Sequence, residues 1–209
     1  MRRIVWGRAT SSNVMKVLWG LGELGLPFER TDVGGSFGKT DTAEYRAMNP
    51  TGLVPTLQED EFTLWESNVI LRYLCSAHAP HSTLWSEDAR VRANIDRWMD
   101  AQQTQLNRPM GVVFWGLVRT PPEKRDAAAI AEGVAAAAKA YGLIEVELAK
   151  HAYIAGAAFT LADIPWGVHA HRWFNMAFDR PSLPHLRAWY DRLCERPAYR
   201  QHIAGCPVV

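Results

Sequence analysis

The chain has 209 residues, of which 48% are hydrophobic and 22% charged, enough for one large buried core or two small ones. Lys plus Arg number 23 against 22 Asp plus Glu, so no basic excess points to nucleic acid or to an anionic membrane surface. The three cysteines, Cys75, Cys194 and Cys206, lie far apart with no CxxC and no metal-ligand spacing, as expected of reduced thiols in the cytoplasm without a metal site. The opening segment MRRIVWGRATSSN is too short in apolar residues for a signal peptide, and no stretch approaches the ~18 apolar residues of a membrane span.

The first third alternates strand and helix patterns. Arg3 to Trp6 reads as a short strand closed by Gly7. From Ser12 the apolar residues Val14, Val17, Leu18, Leu21 and Leu24 recur at helical spacings, with Gly25 as C-cap and Pro27 just beyond. Phe28 to Val33 reads as a second strand, followed by a loop with Gly34, Gly35 and Gly38. Thr42 to Met48 is a short helix stopped by Asn49-Pro50. Val54-Pro55 leads into a strand at Thr56 to Gln58, and a turn at Glu59-Asp60-Glu61 leads to another at Phe62 to Trp65. Glu66 to Cys75 is again helical. Residues 77–86 form a linker in which Ser86 is placed to cap a helix, and the pattern beyond is helical throughout. Ile130, Val134, Ala137, Tyr141, Ile144 and Leu148 make one stripe, and further apolar periods cover 161–176 and 183–194. The expected class is α/β plus all-α: a small domain over 1–76 and a helical bundle over 87–209.

This β-α-β-α-β-β-α unit, with an X-Pro before its third strand and a helical domain after it, resembles the soluble glutathione transferase family. The motifs are Ser11-Ser12-Asn13 opening a helix, Asn49-Pro50 ahead of Val54-Pro55, Glu66-Ser67-Asn68-Val69-Ile70-Leu71, and Thr160-Leu161-Ala162-Asp163. The resemblance spans essentially the whole chain and implies a thioredoxin-like N-terminal domain that binds glutathione.

The same resemblance implies roles for particular residues. Val54-Pro55 falls on the family's cis-proline, which frees Val54 to pair with the cysteinyl backbone of glutathione as an added strand. Leu53 and Pro55 flank that contact. Ser67, at a helix N-terminus, would hold the γ-glutamyl carboxylate, and Glu66 the ammonium. Related sequences often carry a cation two or three residues before the proline, where this chain has Gly52 and Leu53; Lys39 is the candidate substitute. Thr160 and Asp163 match a capping box, with Phe159 and Ile164 as its hydrophobic staple, a structural role without chemistry.

The implied reaction is attack by the glutathione thiolate on an electrophile. A free thiol of pKa about 8.5 is only slightly ionised at neutral pH, and lowering it by ~2 units takes ~2.7 kcal/mol of differential stabilisation. The family's catalytic position falls on Ser11, with Ser12 as neighbour, Thr10 as a distant candidate, and Asn13 matching an asparagine that some bacterial branches set against the sulfur. Ser11 or Ser12 also fits a plain helix cap. Absence of tyrosine and cysteine from this segment disfavours the tyrosine-dependent classes and those that form mixed disulfides.

Met110, Phe114 and Trp115 fall on the helix that lines the co-substrate pocket in the family, and Trp6, Arg8 and Trp166 are placed to complete it. Arg108 is a candidate for an anionic co-substrate. A glutathione-dependent disulfide reductase is the main alternative, supported by Asn13. An isomerase of maleylacetoacetate type ranks lower because Ser11-Ser12-Asn13 lacks that branch's cysteine. A non-catalytic interaction module is disfavoured by Ser11, Val54-Pro55, Glu66 and Ser67. The expected assembly is a homodimer.

Overall fold

The computed structural model describes residues 1–209. The chain opens with strand β1 (Arg3–Trp6) and helix α1 (Ser12–Glu23), then β2 (Glu29–Thr31), α2 (Ala43–Met48), β3 (Thr56–Glu59), β4 (Phe62–Trp65) and α3 (Ser67–His78). The sheet order is β2-β1-β3-β4, with β1 parallel to β2 and antiparallel to β3. The expected second strand is shorter than its apolar boundaries suggested. It lies on the sheet edge, and only Glu29, Arg30 and Thr31 find partners on β1.

Gly7 lets the chain leave β1 directly against α1: a Cβ there would fall 2.4 Å from Val14 Cγ2. At the other end of α1, Gly25 has φ +63° and completes the expected stop. Thr42 caps α2 by accepting from Tyr45 N–H at 3.2 Å. Helix α3 runs to His78, two residues past the expected end of the first domain.

The second half begins with α4 (Ala89–Ala101), which passes through a π-helical turn at Gln102–Leu106 into α5 (Asn107–Phe114). A second π-helical turn follows at Trp115–Arg119. The first π-turn precedes Pro109, whose ring would crowd the carbonyl four residues back at ordinary α spacing. The expected cap at Ser86 is not made. Asp88 caps α4 by accepting from Arg90 and Val91 N–H, while Ser86 Oγ accepts from Asp88 N–H at 3.1 Å. Nearer the C-terminus come α6 (Ala127–Leu148), α7 (Asp163–Asn175), α8 (Pro184–Cys194) and the short α9 (Pro197–Tyr199).

By length and composition α6 would suffice to cross a membrane, against the expectation that no segment would. Its apolarity comes mostly from alanine, and Glu132, Lys139, Glu145 and Glu147 interrupt it, so no uninterrupted apolar run shows in the sequence. One stripe, Gly133, Ala137, Ala140, Tyr141, Ile144 and Leu148, is buried in the bundle.

The Thr160–Asp163 motif is a wider node than a capping box. Asp163 Oδ2 accepts from Thr160 N–H at 2.9 Å, and Oδ1 accepts from Ile154 N–H at 3.0 Å and Trp189 Nε1–H at 2.9 Å. Phe159 and Ile164 are both buried in the helical core. Helix α1 joins the halves, because Val14, Val17, Leu18 and Leu21 face the sheet's core while Met15 and Trp19 face the bundle's.

Candidate functional site

A cavity of about 650 Å³ opens between the β1–α1 loop, the Gly-rich loop, α5 with its π-turn, and α7. Ser11 and Ser12 lie on its wall at the start of α1. Ser11 occupies the N-cap position but makes no side-chain cap, and its extended backbone (φ −78°, ψ 125°) sets the residue against the cavity. Its hydroxyl is therefore not spent on the helix, although the residue is only 8% exposed. A hydroxyl at the positive end of α1 suits a developing or full negative charge.

Asn13, one residue into the helix, holds Ser67: Ser67 Oγ donates to Asn13 Oδ1 at 3.4 Å. Ser67 is buried at the start of α3, and no side chain caps that helix. Its first N–H groups are thus available to an anion. Glu66 precedes them in an exposed position with φ +70°, a backbone region that non-glycine residues rarely adopt. The two helix N-termini, α1 and α3, meet across the Ser67–Asn13 contact.

Val54 precedes a cis bond to Pro55, and its N–H and C=O take no part in the backbone hydrogen bonds of the sheet or loops. The loop presenting it is fixed from below by buried Asn49. That side chain donates to Leu53 C=O at 2.9 Å and to Thr56 Oγ1 at 3.1 Å, and accepts from Thr51 Oγ1–H at 2.6 Å. Tyr45 OH adds a second donor to Leu53 C=O at 2.7 Å. Leu53 itself projects its side chain to solvent, being 67% exposed. Asn49 thus does more than end α2, a role that its place before a proline does not reveal.

Several expected pocket residues lie elsewhere. Trp166 is wholly buried, its indole donating to Trp98 C=O at 2.8 Å, so it belongs to the bundle core. Met110 is likewise core. Both face inward because the apolar stripe that suggested a pocket is the stripe that packs the helices. Trp6 donates to Gln58 Oε1 at 3.0 Å and lines a separate small cavity, together with Lys39, Tyr45 and Met48. Arg108 points to solvent outside the main cavity.

Of the expected co-substrate residues, Arg8, Phe114 and Trp115 do line the main cavity. Thr10, the distant candidate, lines it too, and residues that the sequence reading missed there include Asn107, Arg119, His169 and Arg172. Arg172 donates to Thr10 C=O at 3.1 Å and its guanidinium lies 3.9 Å from the Phe114 ring centre. Burial, with Arg8 and Arg119 nearby, pulls its pKa down to about 10. A second missed cation is Arg46, whose guanidinium sits so close to Gly52 that a Cβ there would be 2.8 Å from Nη2.

Beneath the seam lies a buried lysine. Lys16 donates to Gln102 Oε1 at 3.0 Å, and burial lowers its pKa to about 7, with Glu66 opposing the fall. His169, next in this contact line through Gln102, is held well below its usual pKa, first by burial and then by Lys16 and Arg172. None of the three cysteines lines the cavity, and burial raises the pKa of each.

A thioredoxin-like sheet domain with two converging helix N-termini, joined to a helical bundle across a cavity, defines a glutathione-binding enzyme of the transferase type. Residues 10–77 match the family model of the glutathione S-transferase N-terminal domain, and residues 110–197 that of the C-terminal domain. The chain is 42% identical to glutathione S-transferase GstB of Escherichia coli over 94% of this chain and 95% of that protein. Glutathione S-transferase 3 of Zea mays is 28% identical over 98% and 94% of the two chains. Among solved structures, the theta class glutathione S-transferase of Xanthomonas axonopodis pv. citri with glutathione bound superposes at a TM-score of 0.95, with 42% identity over 99% of both chains. Poplar glutathione transferase F1 superposes at 0.86 with 26% identity over 96% of both. The chain belongs to the glutathione S-transferase family, and it is an enzyme that uses glutathione as substrate.

Proposed function

We propose that the Ser11 hydroxyl donates to the glutathione sulfur and holds it as the thiolate that attacks the electrophile. One observation carries this reading: Ser11 stands at a helix N-cap, faces the cavity, and leaves the helix uncapped. Donor and helix terminus together can supply the ~2.7 kcal/mol that a two-unit fall in thiol pKa requires. Ser12 shares the cavity wall, and Asn13 acts through Ser67 as well as near the sulfur.

In the same reading, Ser67 and the first N–H groups of α3 take the γ-glutamyl carboxylate, and Glu66 takes the ammonium. The unpartnered Val54 backbone pairs with the cysteinyl residue. For the glycine carboxylate, Arg46 beside Gly52 is better placed than Lys39, which lies toward the small cavity under Trp6. Residues 1–76 hold glutathione, 77–86 link, and 87–209 supply the electrophile's wall. The absence of cysteine from the cavity supports conjugation rather than exchange through the protein's own thiol. We further propose a cytoplasmic homodimer, in which exposed Phe62, Trp65 and Val69 of the sheet domain meet the partner's helical domain.

Calorimetry of glutathione binding tests the cradle. Ser67→Ala is expected to weaken binding about tenfold, the value of one hydrogen bond to a charged group. Unchanged affinity would remove Ser67 and the α3 terminus from the site.

A further inference from the structure

The cavity beside Ser11 carries three arginines, Arg8 from the β1–α1 loop, Arg119 from the π-turn after α5, and Arg172 from α7. No aspartate or glutamate lines it. Arg172 spends one N–H on Thr10 C=O at 3.1 Å, and Arg119 donates to the Val209 main-chain oxygen at 3.0 Å. Arg8 lies along the Gly-rich loop, where a Cβ on Gly35 would come within 3.0 Å of its Nε. Gly35, with φ +61°, therefore makes room for the guanidinium.

Like charges gathered in a partly buried wall with no acidic side chain among its lining residues repel one another, and each loses hydration. The consequence is visible at Arg8 and Arg172, whose pKa values are both lowered, first by burial and then by the neighbouring arginines. Such a wall is satisfied by an anion, which guanidinium forks grip in a bidentate fashion. Apolar surface adjoins it: Phe114 lies under Arg172, and Trp115 is 64% exposed at the rim. The Ser67–Glu66–Val54 cradle belongs wholly to the sheet domain, whereas Arg119 and Arg172 approach Ser11 from the helical domain.

We infer that the preferred electrophile of this enzyme is an organic anion, an aromatic or similarly flat carboxylate, whose charged group is held by Arg8, Arg119 and Arg172 while its apolar body rests on Phe114 and Trp115. This deepens the transferase reading and rests on it. In the displacement reaction the glutathione thiolate forms a C–S bond at the electrophilic carbon and the C–halogen bond breaks. Halide leaves with the electron pair, and the substrate's carboxylate stays unchanged on the arginines.

The test compares 4-chloro-3,5-dinitrobenzoate with 4-chloro-3,5-dinitrobenzamide, which share a leaving group and differ in charge. Each rate is taken relative to its uncatalysed reaction with glutathione. The wild type is expected to favour the benzoate in kcat/KM by tenfold or more, as expected for hydrogen bonds to a charged group, about tenfold each. Arg8→Gln and Arg119→Gln should each cut that preference several-fold, with the rise in KM falling on the benzoate. No preference in the wild type, or equal losses on both electrophiles, would overturn the inference. A matching rise in the KM for glutathione would also overturn it and assign the arginines to a glutathione carboxylate.

Binding of the unreactive 3,5-dinitrobenzoate and 3,5-dinitrobenzamide to glutathione-saturated protein gives a second readout that needs no turnover. Tighter binding of the benzoate that is lost in Arg119→Gln supports the subsite, and equal binding sinks it. Failure of the wild type to bind glutathione at all would be a failure of the transferase reading, and calorimetry sees it separately.

Discussion

The cluster under the sheet holds eight apolar side chains, whereas the cluster centred on the helical half holds thirty-three, including Trp166, Trp173 and Trp189, with Met15, Trp19, Leu71 and Cys75 contributed by α1 and α3. The smaller unit is held instead by polar contacts that also shape its surface. Asn49 and Tyr45 fix the Val54 loop, and Glu59 accepts from Arg3, Tyr73 and His78 at 2.6, 2.7 and 2.9 Å. Glutathione is one constant molecule, mostly peptide, and a surface of hydroxyls, backbone groups and helix termini is suited to it. The helical half instead presents arginines and aromatic rings from a rigid core. In the proposed function, sheet-domain polarity serves recognition of the constant substrate, and bundle-core rigidity serves the placement of a few side chains against the variable one.

The strongest way to break this contrast is to strike the bundle at its one buried acidic node. Burial pushes the Asp163 carboxyl up to about 6 against the pull of its donors from Ile154, Thr160 and Trp189. Asp163→Ala leaves those N–H groups unpaired in the core and is expected to cost about 3 kcal/mol or more, read from the urea midpoint. A loss below about 1 kcal/mol would mean that the node is not what organises the bundle.

Lys16 tests the seam between the halves. Its folded-state pKa of about 7 lies below the ordinary 10.5, so between those values the unfolded chain binds the extra proton. Stability should therefore rise with pH across that window, by up to about 1.4 kcal/mol per unit, and the contribution is lost as pH falls through 7. Lys16→Met should remove this rise. An unchanged slope would show that Lys16 stays charged in the fold.

A smaller effect sharpens the polar side of the comparison. Arg46→Gln should raise the KM for glutathione about threefold, an exposed ion-pair magnitude, without moving the urea midpoint. Lys39→Gln should change it less, and the reverse order would return the glycine carboxylate to Lys39.

Much of this organisation is legible from residue order alone. Strand β1, the helix after Ser12, the Gly25 stop and the last three long helices carry strong periodicity, and Val54-Pro55 is cis as the family resemblance implied. Less legible is direction. Met110 and Trp166 lie on the right helices but face the core, because periodicity marks an apolar face without saying whether it meets protein or ligand. Arg172 is the opposite case. Within the apolar pattern of 161–176 an arginine reads as a solvated residue, yet it is buried over Phe114 with one N–H on Thr10, a contact across 162 positions of sequence. Asn49 and Lys16 were likewise unreadable, since their roles depend on partners brought in by tertiary contact.

The central claim is that the Ser11 hydroxyl lowers the pKa of bound glutathione. The most direct measurement is a pH titration of thiolate ultraviolet absorbance for glutathione bound to the wild type and to Ser11→Ala. The account predicts a midpoint near 6.5 in the wild type, about two units below a free thiol, and a return toward about 8.5 in the variant. The same low midpoint in both proteins would contradict it and pass the role to Ser12, Asn13 or the helix terminus alone.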